Sequence, residues 1–280
     1  MPLALRTWVW QPDLMQDLAT AYPVWLCDVW GVVHDGAKPI ASAVDALQRH
    51  RREGGKVIFI TNAPRPNSTI QRQLDGIGVP RDASDAMVTS GDVTRHLMMQ
   101  HGKGGLFHLG PEQDLPLFVG LDLQRVPLAE AVAVVCTGFL DETRETARDY
   151  LPQLLAMKAK GLGMICANPD KVVRKGDILV PCAGAIAEEY EAMGGTVWMA
   201  GKPYAPIYDV AMALADCSDK GQVLAIGDGP ETDIKGALAY GVACVFISGG
   251  INSSPDAAAE VRRKYPEADI VRAMPELYWG

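Results

Sequence analysis

Val24-Trp25-Leu26-Cys27-Asp28-Val29-Trp30-Gly31-Val32-Val33-His34-Asp35-Gly36 is the stretch that decides the fold. An apolar run meets one carboxylate and then breaks at Gly31. A run of this length bounded by glycine reads as a strand buried on both faces, as in a parallel sheet covered by helices. Asp28 then stands at the strand's C-terminal end, the edge at which open α/β sheets bind their ligands. Taken alone, such an Asp is as readily a cap on the following turn. Three later segments decide between the two.

Upstream, residues 1–23 read as an amphipathic helical extension around Leu14 to Ala21, ended by Pro23 and covering the sheet. Downstream, Ala41 to Arg52 has helical spacing at Val44 and Leu47 and stops at Gly54-Gly55. Lys56 to Asn62 is a second buried strand, ending in the small polar pair Thr61-Asn62. Strand, helix and strand in this order predict a right-handed βαβ unit with a parallel sheet. A helix over Thr69 to Ile77 follows. Residues 85–198 then carry a separate set of strand signals at Gly105–Leu109, Ala131–Thr137 and Gly163–Ala167, with a helix over Glu142 to Lys160. This block echoes the first unit faintly and predicts an inserted second α/β domain. From residue 199 the first domain resumes with Lys202-Pro203, a helix over Tyr208 to Ala215 and the strand Val223 to Ile226. That strand runs into Gly227-Asp228-Gly229-Pro230-Glu231-Thr232-Asp233; a helix over Ile234 to Tyr240, a strand Val242–Ile247 and a tail helical around Ala257 to Lys264 complete the chain. The expected architecture is a doubly wound, Rossmann-like parallel α/β sheet built from residues 1–84 and 199–280, with 85–198 inserted.

Composition fits two domains with proper cores: 280 residues, 48% apolar and 21% charged. Lys plus Arg is 26 against 34 for Asp plus Glu, a formal net charge of −8. An acidic chain without a basic cluster excludes nucleic acid and anionic membrane as main partners. None of the six cysteines shares CxxC spacing with another, and four lie in apolar runs. Buried reduced thiols are expected, which fits a cytoplasmic compartment and argues against zinc. No stretch resembles a signal peptide or approaches the roughly 20 apolar residues of a membrane span. A soluble, cytoplasmic protein is the expectation.

Three parallel strands thus end in polar groups: Asp28, then Thr61-Asn62, then Asp228 with Asp233, while Lys202 opens the helix before the third. Two carboxylates converging on one sheet edge repel each other unless a cation lies between them. Oxygen donors of this kind suit Mg²⁺, which takes one or two carboxylates plus water and substrate phosphate. The Thr61 hydroxyl, the backbone N–H groups of the Gly31 and Asn62 turns, and Lys202 are candidate donors to a phosphate. A carboxylate facing phosphorus under such charge compensation is a nucleophile for phosphoryl transfer.

The order Asp28-x-x-Gly-Val, Thr61-Asn62, Lys202-Pro203 and Gly227-Asp228-x-x-x-x-Asp233 resembles the haloacid dehalogenase superfamily. The inserted block, with Val88-Thr89-Ser90, Ala167-Asn168-Pro169-Asp170 and Gly201-Lys202-Pro203, is similar to the α/β cap of the class IIA, NagD-like phosphatases. The resemblance implies a Mg²⁺-dependent phosphatase acting through an aspartyl-phosphate on small phosphorylated metabolites, sugar phosphates or nucleotide monophosphates foremost. It implies Asp28 as nucleophile and metal ligand, Lys202 as charge stabiliser, and Thr61, Asn62 and Lys202 as the phosphate site. Asp228 and the backbone carbonyl of Trp30 complete the implied metal ligands, with Asp233 acting through water or through its neighbours. Asp141, Asn168 and Asp170 are the cap residues placed to meet substrate once the cap covers the site. Relatives of this class often associate, which makes a homodimer a candidate assembly.

The chain departs from the family at Trp30. Phosphatases of the superfamily usually carry Asp two residues after the nucleophile, as acid for the leaving group and base for water. Indole cannot do this, and such assistance is worth about 10²–10⁴-fold. Four readings stay open: substrates with good leaving groups, a proton from His34 or Asp35, a proton from the substrate or a cap acid such as Asp141 or Asp170, or a phosphometabolite-binding protein without efficient turnover. A carbon–halogen hydrolase would share Asp28 but has no need of Asp228 and Asp233. A dinucleotide-binding dehydrogenase lacks its GxGxxG after the first strand.

Overall fold

In the computed structural model, which describes residues 15–175, 178–250, 254 and 256–280, twelve strands form three sheets. They are β1 (Val24–Cys27), β2 (Lys56–Thr61), β3 (Ala86–Thr89), β4 (Leu106–Leu109), β5 (Ala133–Cys136), β6 (Gly163–Cys166), β7 (Val172–Lys175), β8 (Ile178–Pro181), β9 (Val197–Met199), β10 (Val223–Gly227), β11 (Ala243–Ile247) and β12 (Ile270–Met274). The largest sheet has the order β12-β11-β10-β1-β2-β3 and is parallel throughout. A second parallel sheet, β4-β5-β6-β9, comes from the inserted block, and β7 and β8 pair as an antiparallel hairpin.

The opening stretch makes the central strand as expected: Val24 to Cys27 are all buried. Register then fixes the site. Cys27 lies opposite Phe59 on one side and Ile226 on the other. The backbone N–H of Asp28 donates to Ile226 O at 2.8 Å. The ends of β1, β2 and β10 therefore come out level, with Asp28, Thr61 and Asp228 at one edge.

Alternate side chains along the strands face opposite layers. Trp25, Cys27, Val57, Phe59, Leu224 and Ile226 pack on one face, with α1 (Met15–Ala21), α2 (Ala41–Arg52) and α3 (Asn67–Ile77) against it. Leu26, Ile58, Ile60, Val88 and Ala225 pack on the other, against α4 (Ser90–His101) and the helix Ala205–Ala215. That second apolar layer continues without a break into Leu106, Ala133, Val135 and Ile165 of the inserted sheet. The far face of the inserted sheet has its own cluster around Val134, Met164, Leu154 and Tyr190.

Two sequence expectations need correction. Ala86–Thr89, assigned to the inserted block, pairs with β2 as the edge strand of the large sheet, Thr61 opposite Thr89. Its four residues are too few to show a period. The helix expected over Glu142 to Lys160 begins only with a 3₁₀ turn at Ala147–Tyr150 and continues as α5 (Leu151–Ala159). The Asp141 carboxylate holds Thr143 in a turn (Thr143 N at 3.0 Å, Oγ1 at 2.6 Å), and a Thr146–Asp149 capping box sets the later start. Of the expected N-terminal helix, Met15–Ala21 is seen as α1, while Leu14 and the residues before it lie outside the described residues. The helices completing the fold are α6 (Ala183–Ala192), α7 (Ala205–Ala215), α8 (Lys235–Tyr240) and α9 (Ala257–Lys264). No helix among the described residues is long and apolar enough to cross a membrane.

Candidate active site

Lys202 is the hub. Its ammonium, 3% exposed, donates to Asp28 Oδ1 at 2.6 Å and to Asp233 Oδ1 at 2.7 Å. Burial by itself would lower its pKa, but the charges of Asp233 and Asp28 and their hydrogen bonds outweigh this and hold it well above the ordinary lysine value. Burial pushes Asp233 up in turn, against the pull of Lys202. The other Asp233 oxygen accepts from Gly229 N at 3.0 Å, across the wide turn Pro230–Ile234 that follows β10. Such π-type turns frequently mark functional sites.

Asp28, Asp228 and Asp233 are all buried, and one carboxylate oxygen of each lies within 4.8 Å of the others. Backbone closes around them. A Cβ on Gly31, whose φ is +82°, would stand 2.3 Å from Asp228 Oδ2, and one on Gly227 would stand 2.1 Å from Asp233 Cγ. Gly250, in the turn after β11, comes as close: its Cβ would lie 2.0 Å from Asp228 Oδ2. The sequence reading missed Gly250, although the Gly249-Gly250 pair directly after a strand was a usable signal.

Asn62 ties this cluster to the inserted block. Its side-chain carbonyl accepts from Lys202 N at 2.7 Å. Its amide donates to Lys202 O and to Asp170 Oδ1, both at 3.0 Å. Thr61 is buried at the same edge, its hydroxyl oxygen accepting from Ala63 N at 3.3 Å. Asn168 is buried and accepts Asp170 N at 3.0 Å, which makes it a brace for Asp170. The loop they share is pressed onto the site's backbone: a Cβ on Gly201 would meet Asn62 Oδ1 at 2.4 Å and Pro169 Cδ at 2.8 Å. Burial raises the Asp170 carboxyl to about 6, in spite of the Asn62 hydrogen bond and nearby Lys202.

The remaining candidates are held apart from these contacts. Trp30 is 37% exposed, edge-on to His34 with ring centroids 5.2 Å apart, and it covers Gly36. In the Gly31 turn, whose backbone N–H groups are the candidate phosphate donors, the N–H of Gly31 itself donates to His34 O at 2.9 Å. His34 is buried, accepts Gly36 N on Nδ1 at 2.9 Å, and has its pKa lowered by that burial. Asp35 is exposed, and the backbone N–H groups of Ala37 and Lys38 hold it below the usual carboxylate range. Asp141 bonds Thr143 within its own turn, with Arg144 at 3.6 Å, and lines a cavity of about 470 Å³ with Phe139 and Leu140. The structure therefore joins Asp28, Asn62, Asp170, Lys202 and Asp233 by hydrogen bonds, and it keeps His34, Asp35 and Asp141 out of that network.

The donor set fits a hard divalent cation. Three buried carboxylates converge, two of them on the Lys202 ammonium, and oxygen ligands of this type select ions such as Mg²⁺ over softer metals.

Residues 25–124 match the family model described as haloacid dehalogenase-like hydrolase, and residues 199–274 match a second, HAD-hydrolase-like, model. A crystal structure of a haloacid dehalogenase-like hydrolase from Brucella suis 1330 is 44% identical, with a TM-score of 0.80, covering 86% of this chain and 94% of that one. The D-glycerol 3-phosphate phosphatase of Mycobacterium tuberculosis is 29% identical over 255 residues, 89% of this chain and 70% of the relative. The sugar-phosphatase AraL of Bacillus subtilis is 29% identical over 235 residues, 80% of this chain and 82% of the relative.

Proposed function

Since the chain belongs to the haloacid dehalogenase-like hydrolase family, as a phosphatase of class IIA, we propose that it cleaves phosphate monoesters of small metabolites with Asp28 as nucleophile. The observation that carries this reading is the buried Asp28–Lys202–Asp233 chain at the carboxyl edge of the central strand. Lys202 holds the Asp28 carboxylate in one orientation and offsets the charge of an incoming phosphate. Asp233 positions Lys202. Thr61 and Asn62 complete the phosphate site; the Asn62 amide is already committed to Lys202 and Asp170, so its side chain acts as a brace.

Asp28, Asp228 and the Trp30 carbonyl would hold Mg²⁺. Bound there, the ion supplies charge neutralisation for the phosphoryl group. Asp28 attacks phosphorus in line, the ester oxygen departs, and water then cleaves the aspartyl-phosphate. The six-stranded sheet with its helices serves as the core. The inserted sheet acts as a cap that excludes water and contacts the organic part of the substrate, for which sugar phosphates and nucleotide monophosphates are the leading classes. A phosphometabolite-binding protein with trace turnover is the rival, and Trp30 favours it.

Hydrolysis of aryl, acyl and alkyl phosphates, with and without Mg²⁺, decides between them. The expected result is metal-dependent turnover that disappears in Asp28→Asn. Absence of Asp28-dependent turnover on all three classes overturns the phosphatase reading.

A further inference from the structure

We propose that Asp170, on the cap loop after β6, replaces the acid that Trp30 displaces, protonating the leaving group and then activating water. The inference rests on the phosphatase reading above.

Four side chains were open for this task, and the structure separates them. His34 is sealed in its turn with Nδ1 already accepting a backbone N–H. Asp35 and Asp141 are both held by N–H or O–H donors of their own turns, which favour the anion and make each a poor acid. Asp170 alone among the four is bonded to the site: its Oδ1 accepts from the Asn62 amide at 3.0 Å, and that same amide donates to Lys202 O at 3.0 Å. Its backbone is pinned by Asn168 and by Gly184, whose N–H donates to Asp170 O at 3.2 Å. A Cβ on Gly184 would stand 2.6 Å from that oxygen, so the loop has one place to sit.

Direction of attack agrees. Asp28 meets phosphorus from the sheet edge, so an in-line displacement sends the leaving oxygen away from the sheet and toward the cap. Asp170 comes from the cap loop and meets the site at Asn62. The charged groups that act on it are Lys202 and Asp233, with opposite effects, and burial sets the balance so that both protonation states are accessible near neutrality.

The steps balance. As the Asp28 oxygen bonds to phosphorus, the P–O ester bond breaks and the leaving oxygen takes the proton of the Asp170 carboxyl. In the second step the Asp170 carboxylate takes a proton from water, whose oxygen bonds to phosphorus while the Asp28–P bond breaks. Asp170 is again protonated, and the sum is ester plus water giving alcohol plus phosphate.

The test compares Asp170→Asn with wild type on an alkyl phosphate and on 4-nitrophenyl phosphate, whose leaving group departs without a proton. The expected loss in kcat/KM is about 10²–10⁴-fold on the alkyl ester and less than about tenfold on the aryl ester. The variant should also release a burst of one equivalent of nitrophenolate and then stall as the aspartyl-phosphate. Equal loss on both esters, or no loss on either, overturns the proposal. So does a leaving-group-selective loss in Asp35→Asn or Asp141→Asn instead. A wild type without Asp28-dependent turnover overturns this proposal and the phosphatase reading together. Should Asp170→Asn fail to fold, wild-type pH profiles take its place: kcat/KM on the alkyl ester should fall as pH rises past the carboxyl's titration while the aryl profile stays flat. Parallel profiles overturn it.

Discussion

Lys202 is a buried ammonium that keeps its charge because two carboxylates surround it, and His50 is the opposite case. His50 is buried, stacked on Trp25 with ring centroids 3.8 Å apart, and its pKa is lowered to about 4 by that burial despite the Pro23 carbonyl at 3.1 Å from Nε2. The folded state thus resists a proton that the unfolded chain takes up near pH 6.5, so stability is lost as pH falls from there toward 4. By pH 5 the loss assigned to His50 is about 2 kcal/mol. His50→Phe keeps the stacked ring, and its urea midpoint should fall less than that of wild type between pH 7.5 and pH 5. Coincident slopes would contradict the burial account. At this scale the sequence was legible where a polar residue ended an apolar run, as at Asp28, Thr61 and Asp228. The bond between Asn62 and Asp170 was not, because nothing local marks a partner 108 positions away.

The elements that hold the carboxylates are turns, and their glycines are specified by space as well as by φ. Gly31 and Gly54 both have positive φ, +82° and +92°, yet a Cβ at Gly54 meets nothing within 4 Å whereas one at Gly31 strikes Asp228. Alanine at either position costs about 1–2 kcal/mol for the left-handed backbone. Gly31→Ala should cost distinctly more than Gly54→Ala in thermal unfolding and should also abolish any rise in Tm on adding Mg²⁺, which Gly54→Ala should retain. Equal costs would mean that Asp228 moves aside freely. Longer elements with a clear signal, the helical period of α2 and the unbroken apolar run of β2, were readable from the chain. β3 and β9 were not, since four and three residues carry no usable alternation and their membership of a sheet is settled by the partners beside them.

Over the whole molecule, one apolar layer serves two sheets. Val93, Leu97 and Met98 of α4 pack in the same cluster as Ile58 and Val88 of the large sheet and Val135 and Ile165 of the inserted one. The sequence predicted two domains from two sets of strands, and it had no way to reveal that they share a filling. The consequence for stability is cooperative unfolding. Ile165→Ala, a substitution in the inserted sheet, should cost about 2–5 kcal/mol and still give a single calorimetric transition, with tryptophan fluorescence and far-UV circular dichroism changing together. Two separated transitions would show that the shared layer couples the sheets weakly.

The same layer bears on how such a protein can be remodelled. An insert tethered only by its two connections could be exchanged for another, or deleted, with no change elsewhere in the chain. Here the exchange would strip α4 and α7 of their cover and leave an oily face in water. A transplanted insert must therefore arrive with matching residues at Leu106, Ala133, Val135 and Ile165, or with a rewritten α4, so the inheritable unit is the insert together with the helix beneath it.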